Sequence, residues 1–299
     1  MQKKSTKHLF KNMEYDYEKS PQGIRFDINK KNINHIFLFE HISKFLLTKN
    51  KVKILEIGTG GGRNLQAIYQ KFGNKVELFG TDISNAAISY ANSLKIGKFY
   101  LIKSDIIPIK EKFDFIIMID VLEHLETKSS VRKTLDNALL YLKDDGYIYI
   151  SVPIELNKFS LTWFFSKLPY FKNLTKIFYG HLIQFNIKNF LELIEFKKFK
   201  LIEGYYSVHF LSQLQVLFFF YLPKILLYFF LGNKIANDLR DSNEIIKKRK
   251  HSLLSFLKRI FISFSYPLSY LAFKESNFRK NSFFAAGNMH LLITKHYIK

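Results

Sequence analysis

The fold of this chain is decided by the stretch Ile54-Leu55-Glu56-Ile57-Gly58-Thr59-Gly60-Gly61-Gly62. Its first residues are mostly apolar and predict a buried strand, whereas its glycines predict a tight turn that opens a helix. Glycine has no side chain and tolerates positive φ angles, so a nucleotide-like ligand can approach the backbone of such a turn closely. The stretch therefore predicts a strand, a cofactor-binding loop and a helix, in that order.

The spacing of this loop separates it from other nucleotide-binding loops. A dinucleotide-binding loop would need glycine or alanine where Arg63 stands, and the Gly-Lys-Ser/Thr of a phosphate-binding loop is absent. Glu56 precedes the first glycine by two residues and would repel a pyrophosphate. It suits an adenosine cofactor with a positive amine and sulfonium, such as S-adenosylmethionine (SAM). We expect Glu56, Gly58, Gly60 and Gly62 to bind this cofactor.

Short apolar runs alternate with amphipathic segments between residues 52 and 153. Runs rich in Ile, Val, Phe and Tyr, each followed by a helical pattern, indicate βαβ units and a parallel sheet. The predicted strands are Val52–Ile57, Val76–Gly80, Phe99–Ile102, Phe113–Ile119 and Tyr147–Val152. The predicted helices between them are Asn64–Phe72, Asn85–Leu94 and Val131–Leu142.

Acidic residues follow the predicted strands at their carboxyl ends, which is where open α/β sheets bind ligands. Asp82 ends the second strand, 20 residues after Gly62, and is placed to accept hydrogen bonds from ribose hydroxyls. Asp105 follows the third strand, near the expected position of an adenine amino group. Ile83 and Asp120, beside the ends of the second and fourth strands, complete the predicted cofactor site.

These segments together resemble the class I SAM-dependent methyltransferase family. The matching segments are 54–62, 80–84, 113–117, 121–125 and 146–153. The resemblance implies a Rossmann-like, mostly parallel sheet of seven strands with helices on both faces and an antiparallel final strand. It also implies SAM as the methyl donor. The stretch 209–285 matches nothing general in the family.

A second group of polar residues follows the fourth predicted strand directly. If this segment is a helical turn, Asp120, Glu123 and His124 share one face, and such a set can bind a divalent cation. The segment resembles the Glu-x-x-Glu-His segment of ubiquinone-biosynthesis O-methyltransferases and of small-RNA 2′-O-methyltransferases. That resemblance implies a metal site, for Mg or Zn, completed by a later histidine, His181.

Two other interpretations of the same residues stay open. In the first, Asp120 caps a helix, Glu123 faces solvent and His181 only packs. In the second, Glu123 and His124 are catalytic residues without a metal. His124 then orients the acceptor or takes its hydroxyl proton, because imidazole titrates near neutrality.

The rest of the pattern predicts four parts in the chain. They are an N-terminal helical cover (1–50), a SAM-binding core (51–208), an aromatic and basic helical insertion (209–285) and the final strand (286–299). Within them we expect helices at Asn32–Leu47 and Ile187–Glu195, a lid at Glu155–Tyr179, and strands at Lys200–His209 and Met289–Thr294.

The insertion predicts either a lid over a large cavity or an element that lies on a membrane surface. Its apolar run Phe210–Leu231 is interrupted at Pro223-Lys224, and each half is shorter than the roughly 20 residues that a spanning helix needs. The basic run Lys247–His251 leads into the amphipathic segment Leu253–Phe264, which suits anionic headgroups.

Composition narrows the classes of partner. The formal net charge of +21, carried mostly by residues 151–299, points to an anionic partner, either lipid or nucleic acid. Basic residues interleaved with long Phe and Leu runs favour lipid. The absence of cysteine excludes disulfides and thiolate metal sites. Residues 1–12 show no secretory pattern, so we expect a cytoplasmic protein, peripheral to the inner face of the membrane.

The leading hypothesis is methylation of a hydroxyl on a small-molecule or lipid- or glycan-linked acceptor. RNA methylation is a second hypothesis, based on the charge and on the metal-like segment. A third is a non-catalytic, membrane-associated scaffold that binds SAM, because a fold alone does not establish chemistry.

Overall fold

The computed structural model describes residues 33–102, 109–167, 180–196, 198–218, 222 and 267–296. In chain order the strands are β1 (Val52–Ile57), β2 (Val76–Asp82), β3 (Lys98–Leu101), β4 (Phe113–Ile119), β5 (Leu142–Pro153), β6 (Phe199–Ser207) and β7 (Asn288–Lys295). The α-helices of the described part are α1 (Ile33–Leu46), α2 (Arg63–Phe72), α3 (Asn85–Ser93), α4 (Lys128–Tyr141), α5 (Leu161–Ser166), α6 (Ile187–Leu191), α7 (Phe210–Val216) and α8 (267–278). Short 3-10 helices cover Gly73–Lys75 and Leu122–His124.

The seven strands form one sheet in the order β3-β2-β1-β4-β5-β7-β6. β7 is antiparallel to its neighbours β5 and β6, and the remaining pairs are parallel. The chain adds β2 and β3 on one side of β1 and then returns to place β4 on the other side. This confirms the predicted Rossmann-like sheet with an antiparallel final strand. The reversal creates a crevice at the carboxyl ends of β1 and β4, where such sheets bind ligands.

Helices cover both faces of the sheet, as predicted. On one face α1, α2 and α3 contribute Phe37, Leu65 and Ile88 to a core. On the other face α4 and α6 contribute Leu135 and Phe190. β4 lies between the two cores, and every residue in it but the last is buried. Burial on both faces explains why the strand from Phe115 to Ile119 is a continuous apolar run rather than an alternating one.

The amino end of β4 carries a fully buried carboxylate, Asp114. It accepts hydrogen bonds from Nζ of Lys49 (2.6 Å), Nζ of Lys143 (2.9 Å) and the backbone amide of Lys53 (2.8 Å). Burial by itself would raise the pKa of Asp114, but these donors hold it below its usual value. Because Asp114 lies at the end of the sheet opposite the crevice, its role is to join β1, β4 and β5.

Two element boundaries differ clearly from the prediction. The helix predicted for Ile187–Glu195 ends at Leu191, and the boundary between α4 and β5 lies elsewhere. The helix predicted for Val131–Leu142 ends at Tyr141, and the strand predicted to begin at Tyr147 begins at Leu142. Leu142 has an extended backbone, is buried and pairs with Phe113 at the start of β4. Pairing with the neighbouring strand, which a local pattern does not reveal, therefore decides where the helix ends.

Several predicted features lie wholly or partly outside the described residues. The N-terminal cover is described from residue 33 onward as α1, and the insertion is described mainly at its two ends, by α7 and α8. The Pro223-Lys224 interruption, the basic run 247–251, the segment 253–264 and the lid residues 168–179 lie outside, as does Asp105. The division into four parts stays a prediction. Within the described residues, no helix is both long and apolar enough to cross a membrane.

Candidate active site

The loop between β1 and α2 has the backbone that its glycines predicted. Gly58, Gly60 and Gly62 have φ angles of +74°, +52° and +79°, a region that residues with side chains rarely adopt. A Cβ atom at Gly58 would lie 2.5 Å from Cγ2 of Val121, which follows β4. The loop is therefore packed closely against the segment that leaves β4, and only glycine fits at position 58.

Glu56 stands at the end of β1 beneath this loop and is buried. Its two carboxylate oxygens accept hydrogen bonds from Oγ1 of Thr59 (2.7 Å) and Nδ2 of Asn64 (2.7 Å). Burial raises the pKa of Glu56 to about 7, although these two donors oppose the shift. A positively charged amine bound nearby would stabilise the ionised form, so the residue fits its predicted role toward a cofactor.

Asp82, at the end of β2, reaches across to the same loop. Its Oδ2 accepts a hydrogen bond from the amide of Gly60 (2.8 Å), and its Oδ1 accepts one from the amide of Ser84 (2.8 Å). Burial raises the pKa of Asp82, and the backbone donors partly offset that shift. The carboxylate thus faces the crevice with Ile83 beside it, both half-buried, and it keeps lone pairs that can accept from sugar hydroxyls.

Asp120 follows β4 directly and has a left-handed backbone, with a φ of +53°. Its amide donates to the carbonyl of Ser151 on β5 (3.0 Å). Asp120 is exposed to solvent at its surface, but the protein around its carboxylate desolvates it and raises its pKa, while the charges of His181 and Arg63 act in the opposite direction. A non-glycine residue held in this conformation costs roughly 1–2 kcal/mol, and such strain concentrates at functional sites. The strain at Asp120 supports a role in the crevice.

Beside Asp120 lies a cluster of three side chains, Glu123, His124 and His181, which we call the Glu–His–His cluster. One potential ligand atom from each residue lies within 4.8 Å of those of the others. The carbonyl of Glu123 accepts hydrogen bonds from the amides of Leu182 (2.8 Å) and Ile183 (3.1 Å). These backbone bonds explain why a histidine so distant in sequence meets the segment after β4.

Both histidines of the cluster present the same ring nitrogen to Glu123. Nδ1 of His124 lies 3.2 Å from the carbonyl oxygen of Gly180, and Nδ1 of His181 lies 2.5 Å from Oε1 of Glu155. Each Nε2 atom then lies 3.9 Å from Oε1 of Glu123. A histidine that binds a metal through one nitrogen usually donates the other to a carbonyl or a carboxylate, which is the arrangement found at both rings.

Glu123 is the least satisfied member of the cluster. It is fully buried, and within the described residues neither of its carboxylate oxygens has a hydrogen-bond partner. Burial raises its pKa well above the usual value, and the neighbouring Asp120 and Glu155 raise it further. A buried carboxylate normally requires a cation or hydrogen-bond donors. The residues present therefore fit a divalent cation, and two imidazoles with one carboxylate suit zinc better than magnesium.

The imidazole of His124 is neutral near pH 7. Burial, reinforced by the neighbouring His181, lowers the pKa of His124 to about 4. A neutral imidazole can offer a lone pair to a cation or to an acceptor hydroxyl, but a group with so low a pKa accepts a proton weakly at neutral pH. The structure thus favours binding and orientation over proton abstraction as the role of His124.

Several details predicted for this segment need correction. The segment is not one α-helical turn, because Asp120 has a left-handed backbone and only Leu122–His124 forms a 3-10 helix. As a result, the carboxylate of Asp120, predicted as a metal ligand, is not among the grouped ligand atoms. The open interpretation in which Asp120 caps a helix and Glu123 faces solvent is also wrong. Val121 precedes the 3-10 helix, and Glu123 is buried.

Sequence reasoning missed one residue of the site, Glu155. It is buried, and its Oε1 orients His181 while its Oε2 has no hydrogen-bond partner among the described residues. The available signal was an acidic residue just after the carboxyl end of β5. The same signal identified Asp82 and Asp120 after β2 and β4.

Comparison with known proteins agrees with this geometry. A family model described as a methyltransferase domain matches residues 28–186, more than half of the chain. The search of curated proteins found no match. Among solved structures, the 4+2 cyclase SpnF is similar, with a TM-score of 0.51 and 12% identity, over 88% of this chain and 81% of that one.

Two further solved structures cover most of the chain. A SAM-dependent methyltransferase from Thiobacillus denitrificans, in complex with S-adenosyl-L-homocysteine, has a TM-score of 0.49 and 14% identity, over 94% of this chain and 96% of that one. A putative sarcosine dimethylglycine methyltransferase from Galdieria sulphuraria has a TM-score of 0.49 and 13% identity, over 87% and 83%. At such identities, structural similarity bears on the fold alone.

Proposed function

Because the chain belongs to the methyltransferase-domain family and is a class I SAM-dependent methyltransferase, we propose that it methylates a hydroxyl group held beside the Glu–His–His cluster. One observation carries the proposal. A buried carboxylate without hydrogen-bond partners in the described structure, Glu123, faces two oriented imidazoles next to the glycine loop. The contact between Gly58 and Val121 brings the loop and the cluster segment together.

The residues divide into two groups with separate tasks. Glu56 and Asp82, with the glycine loop, bind the amine and the ribose of SAM. Glu123, His124 and His181 would hold a divalent cation beside the acceptor oxygen, where it would supply Lewis-acid chemistry that lowers the pKa of the hydroxyl. The hydroxyl proton leaves to water. The bond between oxygen and the methyl carbon forms as the carbon–sulfur bond breaks, which leaves S-adenosylhomocysteine. Alignment of these three atoms supplies much of the rate.

Metal removal tests this proposal. The protein is incubated with radiolabelled SAM and a membrane-lipid extract, before and after chelation of metals. We expect transfer to fall at least about tenfold after chelation and to return when zinc or magnesium is added, since weakened metal sites lose activity on this scale. Glu123→Gln and His181→Ala should show the same loss while still binding SAM. Glu126→Gln, an exposed change on the same segment, should behave as the wild type.

Activity that does not depend on metal, or label in a different fraction, would change the proposal as follows. Full activity in chelated protein that is shown to contain no metal would contradict a cation in the site and leave His124 as an orienting residue that acts alone. Label in the organic phase would identify a lipid-linked acceptor, and label in the aqueous phase a small or glycan-linked one. Label in added RNA would favour RNA methylation, and no label in any fraction would favour the scaffold.

A further inference from the structure

An open apolar groove lies on the surface away from the glycine loop. Its volume is about 910 Å³, and its lining comes mainly from the turn after β5, from α6 and the residues that follow it, and from the turn before β7. Ile187, Leu191 and Ile194 are among its lining residues. Of the residues that line it, most are apolar, and the charged ones are Lys158, Lys188 and Glu192, giving a net positive charge.

The rim of this groove exposes aromatic rings to solvent. Phe159 and Phe283 are each 62% exposed, and Phe284 is 53% exposed. Phe159 stacks on Phe284 with ring centroids 5.2 Å apart and planes inclined by 25°. Phe159 also has a φ of +66°, an unfavourable conformation for a residue with a side chain. Large aromatic rings clustered at the surface indicate an interaction site, whereas single exposed apolar side chains do not.

Basic side chains surround these rings. Lys158 and Lys188 line the groove and are exposed, and within the described residues neither forms an ion pair. Nζ of Lys167 lies 5.5 Å from the ring centroid of Trp163, which is itself 6.0 Å from that of Phe159. We call this set the aromatic–basic patch: Lys158, Phe159, Trp163, Lys167, Lys188, Phe283 and Phe284.

We propose that the aromatic–basic patch docks the protein onto the surface of an anionic phospholipid bilayer. Phe and Trp rings bury at the boundary between headgroups and acyl chains, and nearby lysines are attracted to anionic lipid. The phenylalanine rings offer no hydrogen bonds to a polar partner, whereas the lysines supply charge complementary to anionic headgroups. An apolar centre within a basic rim is therefore the chemistry of a peripheral membrane contact.

The patch shares a chain segment with the candidate active site. Glu155 orients His181, and Lys158 and Phe159, only a few residues later, belong to the patch. Docking would thus bring the cluster segment close to the bilayer. The proposal does not depend on methyl transfer, because membrane binding is measured without it.

Vesicle flotation tests the docking surface with the full-length protein. We expect it to float with vesicles of equimolar phosphatidylcholine and phosphatidylglycerol, to float poorly with phosphatidylcholine alone, and to be released by salt. The double variant Phe283→Ser/Phe284→Ser should bind the anionic vesicles at least about tenfold more weakly, since burial of even one such ring contributes about this factor in affinity. Lys158→Glu/Lys188→Glu should also weaken binding.

Matched controls separate the patch from general surface effects. Leu140→Ser removes an exposed apolar side chain from α4, and Lys71→Glu/Lys75→Glu reverses two exposed charges near α2. Both should float as the wild type does. All variants change exposed side chains, so their thermal unfolding and SAM affinity should stay unchanged.

Three results would overturn the proposal. The first is that the Phe283→Ser/Phe284→Ser variant floats as well as the wild type. The second is that the wild type binds neutral and anionic vesicles equally. The third is a dimer that light scattering detects for the wild type but not for the double variant. That result would show that the patch binds a second copy of the chain.

Discussion

At the scale of single residues, two buried carboxylates near the crevice have contrasting surroundings. Glu56 accepts hydrogen bonds from Thr59 and Asn64, and its pKa of about 7 lets it respond to a bound cationic amine. Glu123 has no such donors among the described residues and has a pKa raised much further. The first residue shapes the cofactor loop, whereas the second is an acceptor that a cation would satisfy. Their different partners support different tasks.

Gly58 provides a prediction at the same scale. Gly58→Ala would combine an unfavourable positive φ, which costs about 1 kcal/mol, with a clash against Val121 that costs a further 1–3 kcal/mol or so. Gly73 is the control for an unfavourable backbone without a clash, since its φ of +54° (ψ −131°) is also positive but nothing lies within 4 Å of a Cβ built there. Urea unfolding should show a clearly larger loss for Gly58→Ala than for Gly73→Ala. Equal losses would contradict the close contact between the loop and Val121.

At the scale of elements, a chain of buried polar groups joins the last three strands of the sheet. The hydroxyl of Tyr149 on β5 lies 2.9 Å from Nδ1 of His290 on β7, and Nε2 of His290 lies 2.6 Å from the hydroxyl of Ser207 on β6. Burial lowers the pKa of His290 to about 3, so the ring is neutral and donates one hydrogen bond while accepting the other. This chain links the antiparallel strand to both neighbours.

His290→Leu should therefore destabilise the protein by about 2–4 kcal/mol, because it leaves the hydroxyls of Tyr149 and Ser207 buried without partners. The triple variant with Tyr149→Phe and Ser207→Ala should recover part of that loss, since no unpaired hydroxyl remains. His296→Leu, at an exposed position just after β7, is the control and should change stability by less than about 1 kcal/mol. A triple variant no more stable than His290→Leu would contradict the account of this chain.

At the scale of the whole molecule, local patterns predicted the sheet and the cofactor loop well. Strands such as β1 and β4 are mostly apolar runs, and the glycine spacing at 58, 60 and 62 reflects backbone angles that a short sequence can encode. The link from Glu155 to His181 and the burial of Glu123 depend on segments distant in sequence meeting in space. No local pattern reports such contacts. Of the four residues predicted for the cluster, Asp120 is the one whose carboxylate is not grouped with the other ligand atoms.

The aromatic–basic patch is a second feature that the local sequence pattern did not predict. The sequence predicted a membrane contact from the segments of the insertion at 210–231 and 247–264, most of which lies outside the described residues. The patch instead combines the turn after β5 with α5, α6 and the turn before β7. Composition predicted an anionic partner, but only the assembled fold brings these rings and lysines onto one surface.

The most direct test of the account is a calorimetric titration of SAM into the wild type and two matched variants. Gly60 and Gly73 both have a positive φ, +52° and +54°, so arginine strains the backbone at both positions. Gly60 contacts the carboxylate of Asp82 at the crevice, whereas Gly73 follows α2. We predict that the wild type and Gly73→Arg bind one equivalent of SAM and that Gly60→Arg binds none. SAM binding by Gly60→Arg at wild-type affinity would contradict the assignment of the glycine loop as the cofactor site.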